Sequence, residues 1–468
     1  MRKSVLYLGA VLTALGLSSF AAAIEFTPTQ AVGRMVNNPN PEPFELPSIL
    51  PNPSEYEDSE SILASEYPTQ PYSVSKPIDN PAQTVSGALT NPGAGALGTN
   101  QIGGIMENYW GVNQSKWDSA VRSIQWDGYV NAGFLCNTHG AHRNSYPYHN
   151  SHNGGGLNGI YLSAHKTAQT YGCGLDWGFG ADIMFGEDAR YMRSNQGLDQ
   201  EWYTGHNCQG KPTYGFAMPQ LYADIALNNW YVRMGHFYTL LGYEGAKATD
   251  RFFYSTSLSF DALPVTHTGV LASYKGFENL DITLGWVNGI NNGFNTEEGD
   301  SMVTGKFTYR VRPGVTMSYS FLSGDFNSNS IGLGGSMQGY GCINAADLEV
   351  ELTERLTSVT TVDYDDYNFY TKHTELTFGQ YLFYTVNDCW KWGMRMEWCK
   401  TVVGDYAQPE KFSLTVGANW KPFATDTFLI RPEMRYDSAM TYAAGRGLFN
   451  DGDSPDQFML GLDMLYKF

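Results

Sequence analysis

Near the C-terminal end of this chain the apolar residues keep to one parity. Phe458, Leu460, Leu462, Met464, Tyr466 and Phe468 hold even positions, with Gln457, Gly461, Asp463 and Lys467 between them. Successive side chains of a strand point to opposite faces, so this segment has one face of hydrocarbon and one that is mostly wet. A soluble sandwich strand can show the same pattern, so the constraint comes from its neighbours. Phe428, Ile430, Met434 and Tyr436 alternate with Arg431, Glu433, Arg435 and Asp437. Trp390, Trp392, Met394, Met396 and Trp398 oppose Lys391, Arg395 and Glu397, and Leu348, Val350 and Leu352 oppose Asp347, Glu349 and Glu351. Charge inside and aromatic hydrocarbon outside is the inverse of a soluble barrel.

The other end of the chain sets the compartment. Arg2 and Lys3 precede a largely apolar run from Val5 to Leu17, and Ala21-Ala22-Ala23 offers a small-residue cleavage site. Residues 1–23 therefore read as a secretory signal peptide, with Ile24 as the mature start. The run is too short to cross a bilayer as a helix, and no other apolar stretch is long enough, so a helical membrane protein is excluded. The 31 tyrosines, 51 glycines and only 16% charged residues suit strands that pass between water and lipid. Residues 24–100 are a different material, rich in proline, with nine acids against Arg34 and Lys76. Such a segment buries too little to fold alone and is expected to be a disordered, acidic periplasmic linker.

From residue 125 the alternation recurs in sixteen segments: 125–134, 157–164, 174–185, 216–227, 230–238, 265–275, 279–288, 303–311, 315–323, 343–353, 356–366, 373–384, 390–400, 411–420, 427–437 and 457–468. Short breaks (228–229, 276–278, 312–314, 421–426) alternate with long ones (135–156, 186–215, 239–264, 324–342, 438–456), as periplasmic turns and external loops should. Tryptophans fall near strand ends: Trp126, Trp230, Trp390 and Trp420 on the inner side, Trp286 and Trp398 on the outer. The expected fold is all-β, a transmembrane antiparallel up-and-down β-barrel of about sixteen strands spanning residues 101–468. A barrel of that size leaves a water channel, whereas eight strands are filled by side chains.

Several words in the middle of the chain are more specific. Gly235–Glu244 (GHFYTLLGYE), Phe252–Ser255 (FFYS), His267–Tyr274 (HTGVLASY) and Gly285–Gly289 (GWVNG) occur in order, flanked by Gly180–Arg190 (GADIMFGEDAR) and Arg431–Asp437 (RPEMRYD). The ordered set resembles the β-barrel porin family described as OmpL-like, an outer-membrane group of planctomycete-type bacteria, over roughly residues 120–468. The terminal Phe468 likewise resembles the assembly signal of bacterial outer-membrane barrels. The resemblance implies passive diffusion of small hydrophilic solutes and ions through a water-filled pore. It names no solute. Its expected partners are outer-membrane lipid, the barrel-assembly machinery through Phe468, small solutes and further copies of the chain. In sixteen-stranded porins a third external loop commonly folds inward. Here it would bring Glu244, Lys247, Asp250, Arg251 and Phe252-Phe253-Tyr254 into the channel, as a constriction or, alternatively, as a plug of the mouth.

Lumen charges are uneven. Asp347, Glu349, Glu351, Asp363, Asp365 and Glu375 form an acidic arc, and Arg395, Lys411, Arg431 and Arg435 a basic one tempered by Glu397 and Glu433. From residue 101 on the net charge is −13, so a mild cation preference is expected, with both arcs facing water. A polyanion such as nucleic acid is a poor partner. His139, His142, His149 and His152 have spacing that can chelate Zn, Cu or Ni. A polar surface loop is the blander reading and is the one adopted, with no metal or other cofactor assigned. Six cysteines (Cys136, Cys173, Cys208, Cys342, Cys389, Cys399) allow fifteen pairings in an exported chain. Cys136, Cys208, Cys342 and Cys399 fall toward the outer side, where a loop staple is conceivable. An enzyme would need a nucleophile beside a base, and only His267 with Ser255 or Ser257 offers one, in the event that the third loop folds back. No GxSxG or HExxH motif frames it. The competing non-catalytic reading is a surface binding or adhesion barrel with long external loops.

Overall fold

A computed structural model of the chain describes residues 123–139, 154–169, 174–195, 197–202, 214–295, 300–327, 338–368, 372–404, 406–439, 448–450 and 453–468. The expectations for residues 1–23 and 24–100, and for Cys173, Cys208, His142, His149 and His152, lie outside them.

Sixteen long strands form one antiparallel sheet that closes on itself. In order they are β1 (Gln125–Asn137), β2 (Gly154–Lys166), β3 (Leu175–Gly186), β4 (Gly215–Leu227), β5 (Trp230–Tyr238), β6 (Thr266–Tyr274), β7 (Leu280–Val287) and β8 (Ser301–Arg312). The second half follows with β9 (Val315–Asn327), β10 (Gln338–Thr353), β11 (Leu356–Asn368), β12 (Lys372–Asn387) and β13 (Trp390–Val403). After a two-residue ladder on β13, β14 (Tyr406–Ala407), come β15 (Lys411–Trp420), β16 (Phe428–Ala439) and β17 (Asp456–Lys467). Each long strand pairs with its neighbours in sequence, and β1 meets β17 from Tyr129↔Lys467 to Asn137↔Met459. Two backbone bonds between Gly128 and Phe468, 2.9 and 3.0 Å, finish the seam. Closure leaves no unpaired edge to face lipid, which is what allows strands to span a membrane.

The short turns are what their residues dictate. Asn228-Asn229 links the Leu227↔Trp230 pair in two residues, with Asn228 at φ 53°, a conformation asparagine tolerates. Outside the wall, Phe458, Leu460, Leu462, Met464 and Tyr466 are exposed, and Trp390 stacks on Trp420 (5.4 Å) and Trp392 (6.3 Å) in an inner girdle. Inside, the expectation of a wet face needs correction. Gln457, Met459, Asp463 and Leu465 are no more than 2% exposed. The covering element is the loop between β5 and β6. Four described cysteines, Cys136, Cys342, Cys389 and Cys399, are free thiols.

Candidate functional site

The third loop, residues 239–265, enters the lumen and braces opposite walls. Leu240, Leu241, Phe260 and Leu263 pack with the inward Leu271, Val287, Met302, Leu322 and Ile343 of β6–β10. Across the barrel Ala246 and Ala248 pack with Tyr129, Tyr161, Met184 and Leu465. Burying each larger side chain stabilises by roughly 1.5–3 kcal/mol, so the loop is held by its own apolar core. Within it, a 3-10 turn (Ala248–Asp250) precedes the short helix α1 (Leu258–Ala262). Ser257 caps that helix by accepting the Phe260 N–H at 3.0 Å, and Pro264 follows its end.

Polar contacts fix the loop to the basic arc. Arg395 donates to Glu244 Oε1 (2.7 Å), Ser255 O (3.0 Å), Ser255 Oγ (3.0 Å) and Thr256 O (2.9 Å), and its Nε lies 2.9 Å from Glu397 Oε2. Arg431 donates to Ala248 O and Arg251 O, both at 2.8 Å, and is paired with Asp463. Arg435 reaches Thr256 O and pairs with Asp437. Carboxylates complete the set. Glu433 accepts the Tyr254 and Ser255 N–H groups at 2.8 and 3.0 Å, and Glu397 accepts Leu258 N–H at 2.6 Å. Loop backbone that would otherwise be buried without partners is satisfied by charged wall side chains, the stronger kind of hydrogen bond.

Wall glycines make room for the loop aromatics. A Cβ at Gly393 would stand 2.3 Å from the Phe252 ring, which itself packs on Phe253 (4.9 Å) and Phe383 (4.8 Å). A Cβ at Gly133 would meet Tyr254 Oη at 2.4 Å. Gly393→Ala should therefore displace Phe252 and cost about 1–3 kcal/mol, as overpacking does. The urea midpoint of the detergent-folded barrel, read by tryptophan fluorescence, should fall. An unchanged midpoint would show that the aromatic contact is loose.

The predicted site residues divide into three groups. Arg395, Arg431 and Arg435 are at most 1% exposed, so they do not face open water; the loop covers them. Glu244, Arg251 and Glu433 are buried with them, Arg251 lying 4.0 Å from Asp188. Lys247 sits 3.6 Å from Asp182 and over the Tyr161 ring, and with Asp250, Asp127 and Lys467 it lines a cavity of about 230 Å³ beneath the loop. Glu349 and Glu351 remain exposed in the inner half of the lumen, while Asp363 and Asp365 are buried. Burial pushes two carboxyls outside the strands up to about 7: Asp188, against the pull of Arg251, and Asp261, against that of Arg435.

Some contacts were not anticipated. Asp182, on β3, accepts Ser163 Oγ at 2.6 Å and bonds Tyr161 and Gln220. Its even position between Gly180 and Met184 was the available signal. His267 does not meet a serine. Its ring nitrogens lie 3.0 Å from Thr239 Oγ1 and 2.7 Å from Gly289 O, and Ser255 and Ser257 serve Arg395 and the helix cap. His139 Nε2 lies 3.0 Å from Asp456 O.

A closed sixteen-stave barrel with an apolar belt, and a third loop folded into a charged lumen, has porin architecture. The chain belongs to the family described as "Putative beta-barrel porin-2, OmpL-like", whose model matches residues 123–468. No curated protein matches the sequence. Among solved structures it is similar to the outer-membrane channel DcaP of Acinetobacter baumannii, at 11% identity over 74% of this chain and 97% of that one (TM-score 0.49). It is also similar to an anion-selective porin from Comamonas acidovorans (10% identity, 74% and 99% coverage, TM-score 0.48) and to a loop-deleted OmpT of Vibrio cholerae (11%, 74% and 99%, 0.48).

Proposed function

We propose that this chain is an outer-membrane porin in which the third loop narrows the lumen into a sieve for small hydrophilic solutes and ions. The observation that carries this is the loop itself, held across the lumen by Arg395, Arg431, Arg435, Glu397 and Glu433. A loop fixed at this many points keeps one cross-section, as passive sieving requires. No catalytic step enters the reading. The loop's serines are engaged in holding it in place.

Mild cation preference is the second part of the proposal. The arginines are each beside a carboxylate and under the loop, so the field in the remaining water is set by exposed groups such as Glu349 and Glu351. Coulomb energies there are about 1 kcal/mol at 4 Å in water, screened over roughly 10 Å at 0.1 M salt. The preference is therefore weak and strongest at low salt. Purified protein in a planar bilayer should give stable conductance steps, and a KCl gradient a reversal potential of cation sign, reduced in Glu349→Gln/Glu351→Gln. Absence of conductance overturns the porin reading, and an anionic reversal overturns the selectivity alone.

A further inference from the structure

The turn that follows β7, past Trp286 at its outer end, buries oxygen atoms that meet no hydrogen donor. Asn288 and Asn292 lie in this turn and Asp300 stands just before β8; they are 3, 3 and 6% exposed. Each amide is fixed by what its nitrogen touches. Asn288 Nδ2 donates to Gly293 O (2.9 Å), and Asn292 Nδ2 to Asn288 O (2.9 Å) and Asp300 Oδ2 (3.0 Å). Turning either amide over would set oxygen against oxygen. In the orientation that remains, Asn288 Oδ1 and Asn292 Oδ1 are buried and have no donor among the described residues. Buried oxygens are as a rule partnered, so two in one turn require an account.

The backbone is shaped around the same point. Gly289, at φ 106°, comes so close to the carboxylate that a Cβ there would stand 2.4 Å from Asp300 Oδ2 and 2.9 Å from Asn292 Nδ2. The Asn292 oxygen shares its carbon with the nitrogen that touches Asp300, so it is held beside that carboxylate. The donors gathered here are amide and carboxylate oxygens, the set that hard cations take and that zinc or copper does not favour.

We propose that this turn binds a divalent cation of the calcium type, held by Asn288 Oδ1, Asn292 Oδ1 and the Asp300 carboxylate, with water completing its shell. The ion would act on the third loop through the turn. Asn291 Oδ1 accepts the Val265 and Thr266 N–H groups at 2.7 and 3.1 Å, where that loop ends. His267 bridges Gly289 O (2.7 Å) to Thr239 Oγ1 (3.0 Å), where it begins. The second external loop joins by Asn195 N–H on Asn291 O (2.7 Å). Fixing the turn therefore fixes both ends of the inserted loop. The inference concerns the outer face and is independent of what the lumen conducts.

The test titrates the full chain in detergent, stripped with a chelator, with calcium chloride in a calorimeter. The wild type should take up calcium with a Kd of about 10⁻⁴–10⁻³ M, as weakly charged extracellular sites do, and Asp300→Asn should weaken that uptake about ten-fold or more. Acids elsewhere in the chain also attract calcium, so the difference between the two proteins is the readout. Calcium at about 10 mM should raise the thermal midpoint of the wild type and not of the variant. Asn288→Asp, which adds charge at a ligand atom, should tighten binding several-fold, and decides the matter if Asp300→Asn does not fold. Unchanged affinity in the deciding variant overturns the proposal. So does a wild type that takes up no calcium by about 10 mM, in which case the two amide oxygens are met by water alone.

Discussion

Replacing Arg395 by alanine should destabilise the folded barrel by roughly 3–5 kcal/mol and free the third loop, because it breaks a buried ion pair from one side. Arg395 is 0% exposed and Glu244, its partner at 2.7 Å, is 7% exposed. Without the guanidinium, Glu244 and Glu397 are left as buried carboxylates with no cation between them, and the carbonyls of Ser255 and Thr256 lose their donor. Arg395→Lys should recover only part of the loss, since a single ammonium cannot span acceptors on both sides of a planar fork. Urea midpoints followed by tryptophan fluorescence report the stability. Single-channel records should show the second consequence, open levels that are larger and noisier than those of the wild type. If both readouts match the wild type, the loop is held by its apolar core alone, and the polar pins are incidental.

The strands were legible because a membrane imposes parity. Lipid requires an apolar outer face, so each crossing declares itself by alternation, and β5 and β15 have the predicted limits, 230–238 and 411–420. Misjudged ends cluster toward the outside. β10 starts at Gln338 and β9 runs to Asn327, whereas the alternation predicts ends at 343 and 323. There the Gly341↔Gly324 pair and its neighbours keep the backbone ladder going above the hydrocarbon, where no side-chain pattern is demanded.

Parity separates inside from outside, but it does not say whether the inside is wet. Alternation therefore turns Arg395, Arg431 and Arg435 inward, as they are, but gives no sign that they are buried. What covers them is a loop some 150 residues away in sequence, and its partners are mostly backbone carbonyls, which leave no trace in side-chain chemistry. The aromatic run Phe252-Phe253-Tyr254 did mark the inserted segment. Its recesses, Gly393 and Gly133, were hidden among 51 glycines that mostly have other reasons to be there.

Excising the loop should have the largest effect on transport. In a barrel whose residues 242–262 are replaced by a short Gly-Ser bridge, conductance should rise several-fold and larger sugars should enter in liposome swelling. The accompanying selectivity follows from the charges left in the lumen. Excision uncovers Arg395, Arg431 and Arg435, but it uncovers Glu397, Glu433, Asp437 and Asp463 with them, so the arc does not turn basic. Glu349 and Glu351 stay where they were, in a wider bore in which more of the water lies beyond the roughly 10 Å screening length at 0.1 M salt. The reversal potential in a KCl gradient should therefore shrink toward zero without changing sign. Folding must be shown first, by heat-modifiable mobility, because Leu271, Val287, Met302, Leu322 and Ile343 lose Phe260 from their apolar cover, and Tyr129, Tyr161, Met184 and Leu465 lose Ala246 and Ala248. Given a folded barrel, unchanged conductance would mean that the narrowest point lies elsewhere, and a reversal to anion preference would mean that the uncovered arginines act apart from the carboxylates beside them.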